Sequence, residues 1–113
     1  MAAERRKYKR YKIGNAVSII PEGVYQVTDI SEGGFCFKCQ SHIPIPEKLM
    51  TDIINSVIPL EEIQARKIWV SLHENAIFNI PCLIKVGAKF SNLRKEQKQK
   101  LEKLIESLST NID

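Results

Sequence analysis

The chain has 113 residues, enough for one domain and one core. It is 43% apolar and 27% charged, the balance of an ordinary globular protein, and no apolar run approaches the roughly 20 residues of a membrane span. The formal net charge of +4 hints at an anionic partner, and its distribution along the chain says more than its size.

Residues 4–12 read ERRKYKRYK, with Arg5, Arg6, Lys7, Lys9, Arg10 and Lys12 set against Glu4 alone. Such a run has no apolar stripe to bury, so residues 1–12 are expected to form a solvated basic arm, mobile without a ligand. No apolar stretch follows it, which argues against a secretory signal. Three cysteines, an odd number, then predict reduced thiols and a cytoplasmic address.

Residues 13–113 read as a single domain of short segments punctuated by Pro and Gly. Ala16 to Ile20 is a first strand, ended by Pro21-Glu22-Gly23. Val24 to Ile30 is a second, ended by Ser31-Glu32-Gly33-Gly34. Phe35, Phe37 and Cys39 share one face of a third. Pro44-Ile45-Pro46 is a loop, and Lys48 to Ile54 is a strand of poor alternation. Leu60 to Leu72 has the length and β-branched content of a long strand, with its alternation broken near Arg66-Lys67, as at a bulge. After a turn at His73-Glu74-Asn75, Cys82, Ile84, Val86, Ala88 and Phe90 alternate with Leu83, Lys85, Gly87, Lys89 and Ser91. From about residue 92 to 108, Leu93, Leu101, Leu104, Ile105 and Leu108 fall on one side of a helix opposite Lys, Gln and Glu, with Ser91 or Asn92 as its cap. Antiparallel strands followed by one amphipathic helix predict a mainly β fold, a small barrel or rolled sheet with the helix packed on it.

Two motifs flank the early strands. Arg6-x-x-x-Arg10 places two planar five-donor forks four residues apart, able to grip a bulky anion or sandwich a purine. In Asp29-x-Ser31-x-x-Gly34, an extended strand end turns Asp29 and Ser31 to one side and Ile30 to the other. Gly33 and Gly34 then allow close backbone approach. The same residues also suit a β-turn in which Asp and Ser satisfy local N–H groups.

In order and spacing these fragments resemble the PilZ family, the small β-barrel receptors of the bacterial second messenger cyclic di-GMP. The resemblance covers nearly the whole chain: the arm Arg5-Arg6-Lys7-Tyr8-Lys9-Arg10-Tyr11, the motif Asp29, Ser31 and Gly34 without substitution, and Gly87-Ala88-Lys89-Phe90 before the helix. It implies a six-stranded antiparallel split barrel with a C-terminal helix. It also implies that Arg6 and Arg10 bind phosphates and guanine, assisted by Arg5. Asp29 would accept from the guanine Watson–Crick edge, Ser31 would hydrogen-bond the ligand, and Gly33 and Gly34 would leave it room. Trp69 is similar to an aromatic that some members place near the ligand; a core or barrel-surface tryptophan is the other reading. The implied output is an arm ordered by ligand and read by a downstream protein. The alternative is an adaptor that keeps the fold and ignores the ligand.

Other chemistries find little support. Cys36-x-x-Cys39 points to opposite faces of a strand and lacks a second ligand pair, so no metal or cofactor is expected. His42 and His73 belong to no catalytic or metal motif, and no histidine is placed to activate Ser31, so no enzyme is expected. Nucleic-acid binding through the arm leaves the D-x-S-x-x-G turn without a purpose.

Overall fold

A computed structural model describes residues 8–71 and 83–110. The strands are β1 (Tyr11–Lys12), β2 (Val17–Ile20), β3 (Gly23–Ile30), β4 (Gly34–Gln40), β5 (Lys48–Ile54), β6 (Leu60–Ser71) and β7 (Leu83–Phe90), followed by α1 (Lys95–Thr110). All pairings are antiparallel. The sheet runs β3-β2-β5-β6-β7-β4 and closes through a β3–β4 pairing into a six-stranded barrel. Closure pairs the two strands that an open sheet of this order would leave as its edges.

The last two residues of the expected arm are part of this sheet. Tyr11 and Lys12 pair with Ile30 and Asp29, while Val17–Ile20 pair with the other half of β3. Between them Ile13 donates to the Thr28 carbonyl, and Val27 donates to that of Ala16. β1 and β2 are thus one interrupted strand along β3, and the chain before β1 is delivered to the turn that follows Ile30.

Period-two alternation sends Val27, Phe35, Phe37, Leu49, Ile53, Ile63, Ile84 and Val86 into the barrel interior, and an irregularity at Glu62, with φ 54°, lets Leu60 join them. Phe35 stacks on Phe37 and Phe90 at centroid distances of 5.9 and 5.6 Å. The weak pattern of β5 has a simple cause. Thr51 points inward, and the Ser18 and Thr51 hydroxyls, 2.6 Å apart, satisfy each other inside the core.

Leu101 and Leu104 of α1 are buried, and the helix packs on β6 and β1. Its start differs from the expected cap. Asn92 adopts φ 53° and the Ser91 amide donates to the Gln64 carbonyl, so neither caps the helix. The first helical bond runs from the Lys98 amide to the Arg94 carbonyl, and the Arg94 amide donates to Gln97 Oε1. Gln97 also lies on the buried side rather than the solvent side, because its amide donates to the carbonyls of Glu61 and Glu62. The helix is therefore tied to β6 by polar contacts as well as by leucines.

Candidate functional site

Two β-bulges create the site. Along β3, Val27 pairs with Phe37 but Asp29 pairs with Cys36, so Thr28 is an extra residue. Along β6, Lys67 pairs with Ala88 but Trp69 pairs with Gly87, so Ile68 is extra. In an unbroken strand Asp29 would share the inward face of Val27, and Trp69 that of Ala65 and Lys67. Each inserted residue reverses the alternation, and both side chains emerge on the outside of the barrel. The break expected near Arg66-Lys67 falls one residue later; the one in β3 has no sequence signal.

Outside, they border a cleft of about 570 Å³ whose lining includes Tyr8, Arg10, Asp29, Ser31, Gly33, Gly34, Cys36, Ile68, Trp69, Gly87 and Lys89. Arg10, Asp29, Ser31, Gly33, Gly34 and Trp69 are thus brought to one place from three segments of chain. Arg5 and Arg6 lie outside the described residues, as do Cys82 and His73.

The Asp29–Gly34 turn is held by its own hydrogen bonds. Ser31 Oγ accepts from the Gly33 and Gly34 amides at 3.1 and 3.2 Å, and the Ser31 amide donates to the Gly34 carbonyl at 2.8 Å. The Phe90 amide fastens the turn to β7 by donating to the Gly33 carbonyl. The Ser31 hydroxyl in turn donates to the Gly34 carbonyl across 3.4 Å, so its hydrogen as well as its lone pairs is engaged within the turn. The local-turn reading of Ser31 is therefore realised.

Asp29 is 8% exposed. Its Oδ2 accepts from Thr28 Oγ1 at 3.1 Å and pairs with Lys85 Nζ at 3.2 Å. Cys36 lies beneath it, 3% exposed. Burial first, then the Asp29 charge and a thiol hydrogen bond to Asp29, push the Cys36 thiol up to about 11. A protonated thiol under the carboxylate is an uncharged donor, not a nucleophile or a metal ligand. Among the described residues no cluster of His, Cys, Asp and Glu could hold a metal ion.

Gly34 clears space for protein rather than for open cleft: a Cβ there would collide with the Ala88 carbonyl of the paired strand. Gly87 serves Trp69 in the same way, since a Cβ would enter the indole ring lying across β7. The Arg10 guanidinium stands 5.7 Å from the centre of that ring, a cation–π contact that holds the approach to β1 over the cleft. Tyr8 lies against Gly33, where an added Cβ would come within 2.7 Å of its ring.

Sequence reasoning missed Tyr8, Cys36, Ile68, Gly87 and Lys89 as lining residues. Only Gly87 carried a usable signal, a glycine inside a cleanly alternating strand, which marks a close approach.

The closed barrel, with a polar turn and a cationic approach strand gathered at one cleft, defines a small β-barrel module with its polar residues concentrated at one rim. The chain belongs to the PilZ domain family, whose profile matches residues 4–107. Among solved structures it is similar to the PilZ domain of YcgR from Escherichia coli, solved with c-di-GMP. That likeness has a TM-score of 0.70 and 16% identity, and covers 95% of this chain and 93% of that one. It is also similar to MrkH, described as a c-di-GMP-dependent transcription regulatory factor, with a TM-score of 0.69 and 14% identity over 96% of this chain and 53% of that one. No curated protein matches the sequence. None of the helices described is long and apolar enough to cross a membrane.

Proposed function

We propose that the chain is a non-catalytic receptor for cyclic di-GMP, acting in the cytoplasm through a partner protein. The observation that carries this reading is the single cleft lined by Arg10, Asp29, Ser31, Gly33, Gly34 and Trp69. Arg10, with Arg6 and Arg5 from the arm, supplies guanidinium forks for the phosphates and the guanine faces. Asp29 accepts from the N–H edge of a guanine, and the Ser31 hydroxyl donates to a ligand oxygen or nitrogen. Trp69 gives Arg10 an aromatic platform beside the bound base. Ordering the arm costs about 1–2 kcal/mol per residue in backbone entropy, which the charge-assisted contacts must exceed. The ordered arm is the surface that a downstream protein reads.

The test is calorimetric titration of cyclic di-GMP, with GTP and GMP as controls. Wild type binds selectively and saturably, and Arg10→Ala weakens binding about ten- to a hundredfold, the loss of one charge-assisted contact. Unchanged affinity in Arg10→Ala would remove the arm from the mechanism.

One observation favours a second reading, a ligand-independent adaptor: Asp29 and Ser31 already have protein partners in Lys85, Thr28 and the turn amides. No binding of cyclic di-GMP to folded wild type would support it.

A further inference from the structure

Beside the cleft, three cations stand in one row across adjacent strands. Lys48 of β5 pairs with Arg66 of β6, and Arg66 pairs with Lys89 of β7. All three are exposed on the outer face, and Lys89 in turn pairs with Gly34 of the cleft turn. Directly opposed like charges destabilise a sheet. Among the described residues no carboxylate forms an ion pair with any of them, the pairs there being Lys85–Asp29, Arg94–Glu62 and Arg94–Glu96. The barrel therefore carries an uncompensated cationic row about 10 Å long, two strand spacings.

Its surroundings select among anions. Met50, two residues beyond Lys48 on the same face, is 52% exposed, and the bulged Ile68, two residues beyond Arg66, is 53% exposed. Further along β5 and β6 the charge reverses at Asp52, Glu61 and Glu62. A nucleic-acid strand leaving the row in that direction meets carboxylates, and its phosphates have no use for the methionine and isoleucine. A short peptide carrying acidic and apolar side chains matches both features.

We propose that Lys48, Arg66 and Lys89, flanked by Met50 and Ile68, form the docking surface for a short acidic and apolar segment of a partner protein. The surface deepens the proposed relay by giving the partner a chemistry, and it exists whether or not the cleft holds a nucleotide. Ile68 and Lys89 belong to both the row and the cleft lining, so an occupant of one is felt at the other.

The experiment is amide chemical-shift titration of the whole chain with a synthetic peptide of alternating Glu and Leu. A Gln/Leu peptide and an oligothymidylate serve as comparison ligands, each with and without cyclic di-GMP. Shifts should gather at Lys48, Met50, Arg66, Ile68 and Lys89 with the Glu/Leu peptide. Arg66→Glu should weaken its binding roughly tenfold. Lys38→Glu, an exposed charge reversal on β4 away from the row, should leave it unchanged. Three outcomes overturn the proposal: no saturable shifts, equal weakening in both variants, or tighter binding of the oligothymidylate at the row. Failure of cyclic di-GMP to bind would defeat the receptor reading while leaving the peptide result intact.

Discussion

The Asp29–Gly34 turn and the approach strand bearing Arg10 line one cleft, yet they are held by different means. The turn is fixed by backbone: its amides point at Ser31 Oγ, its carbonyls are taken by Ser31 and Phe90, and a buried thiol and an ammonium brace its carboxylate. Beyond the short β1 ladder, the approach strand is held at Arg10 by a guanidinium over an indole ring. Hydrogen bonds in a half-buried turn persist without a ligand, whereas a cation–π contact at a partly exposed site contributes only about 0.5–1 kcal/mol. On the proposed receptor reading, the cleft pairs a preformed turn with an approach strand that a ligand would fix further. On that reading, binding energy would be spent on ordering the approach strand and saved at the turn.

The turn is most vulnerable at Gly34. Gly34→Val drives a branched side chain into the Ala88 carbonyl and should cost about 3 kcal/mol, lowering the melting temperature by roughly 10–20 °C. A normal melt for this variant would show that the turn is not locked to β7.

A smaller effect lies beneath the carboxylate. Cys36 has its thiol raised from 9.0 to about 11 in the folded state. The unfolded chain releases this proton first, so folding is favoured fully below pH 9 and loses stability as pH climbs towards 11, by at most about 2–3 kcal/mol. Chemical denaturation of wild type and Cys36→Ala from pH 8 to 11 checks this: the wild type should decline more steeply. Parallel curves would show that the fold does not hold the Cys36 thiol protonated.

The smallest effect sharpens the contrast. Trp69→Ala should reduce hydrogen-exchange protection of the Ile13 amide beside β1 by about 1 kcal/mol or less, leaving the Ser31 amide in the turn unaffected. Equal loss at both amides would mean that the two sides of the cleft open together.

Much of the fold was legible in the sequence because burial on one face imposes a period of two on a strand. Phe35, Phe37 and Cys39, and again Ile84, Val86, Ala88 and Phe90, announced their inward faces without ambiguity. The helix was legible at Leu101 and Leu104 but misjudged at Gln97. Its amide is drawn inward by the Glu61 and Glu62 carbonyls, which no local pattern reveals.

The site was legible as motifs but not as a surface. Composition and order along the chain determined by themselves a mainly β fold followed by an amphipathic helix, with a D-x-S-x-x-G turn at a strand end. Side-chain alternation, turn formers and fixed charge are local properties of the chain. Only tertiary structure decided that extra residues at Thr28 and Ile68 would turn Asp29 and Trp69 outward, that Gly87 would seat the indole, and that Lys48, Arg66 and Lys89 would share a row. A bulge and a register are fixed by how two distant strands pair, and one residue of slip reverses which side chains meet the solvent.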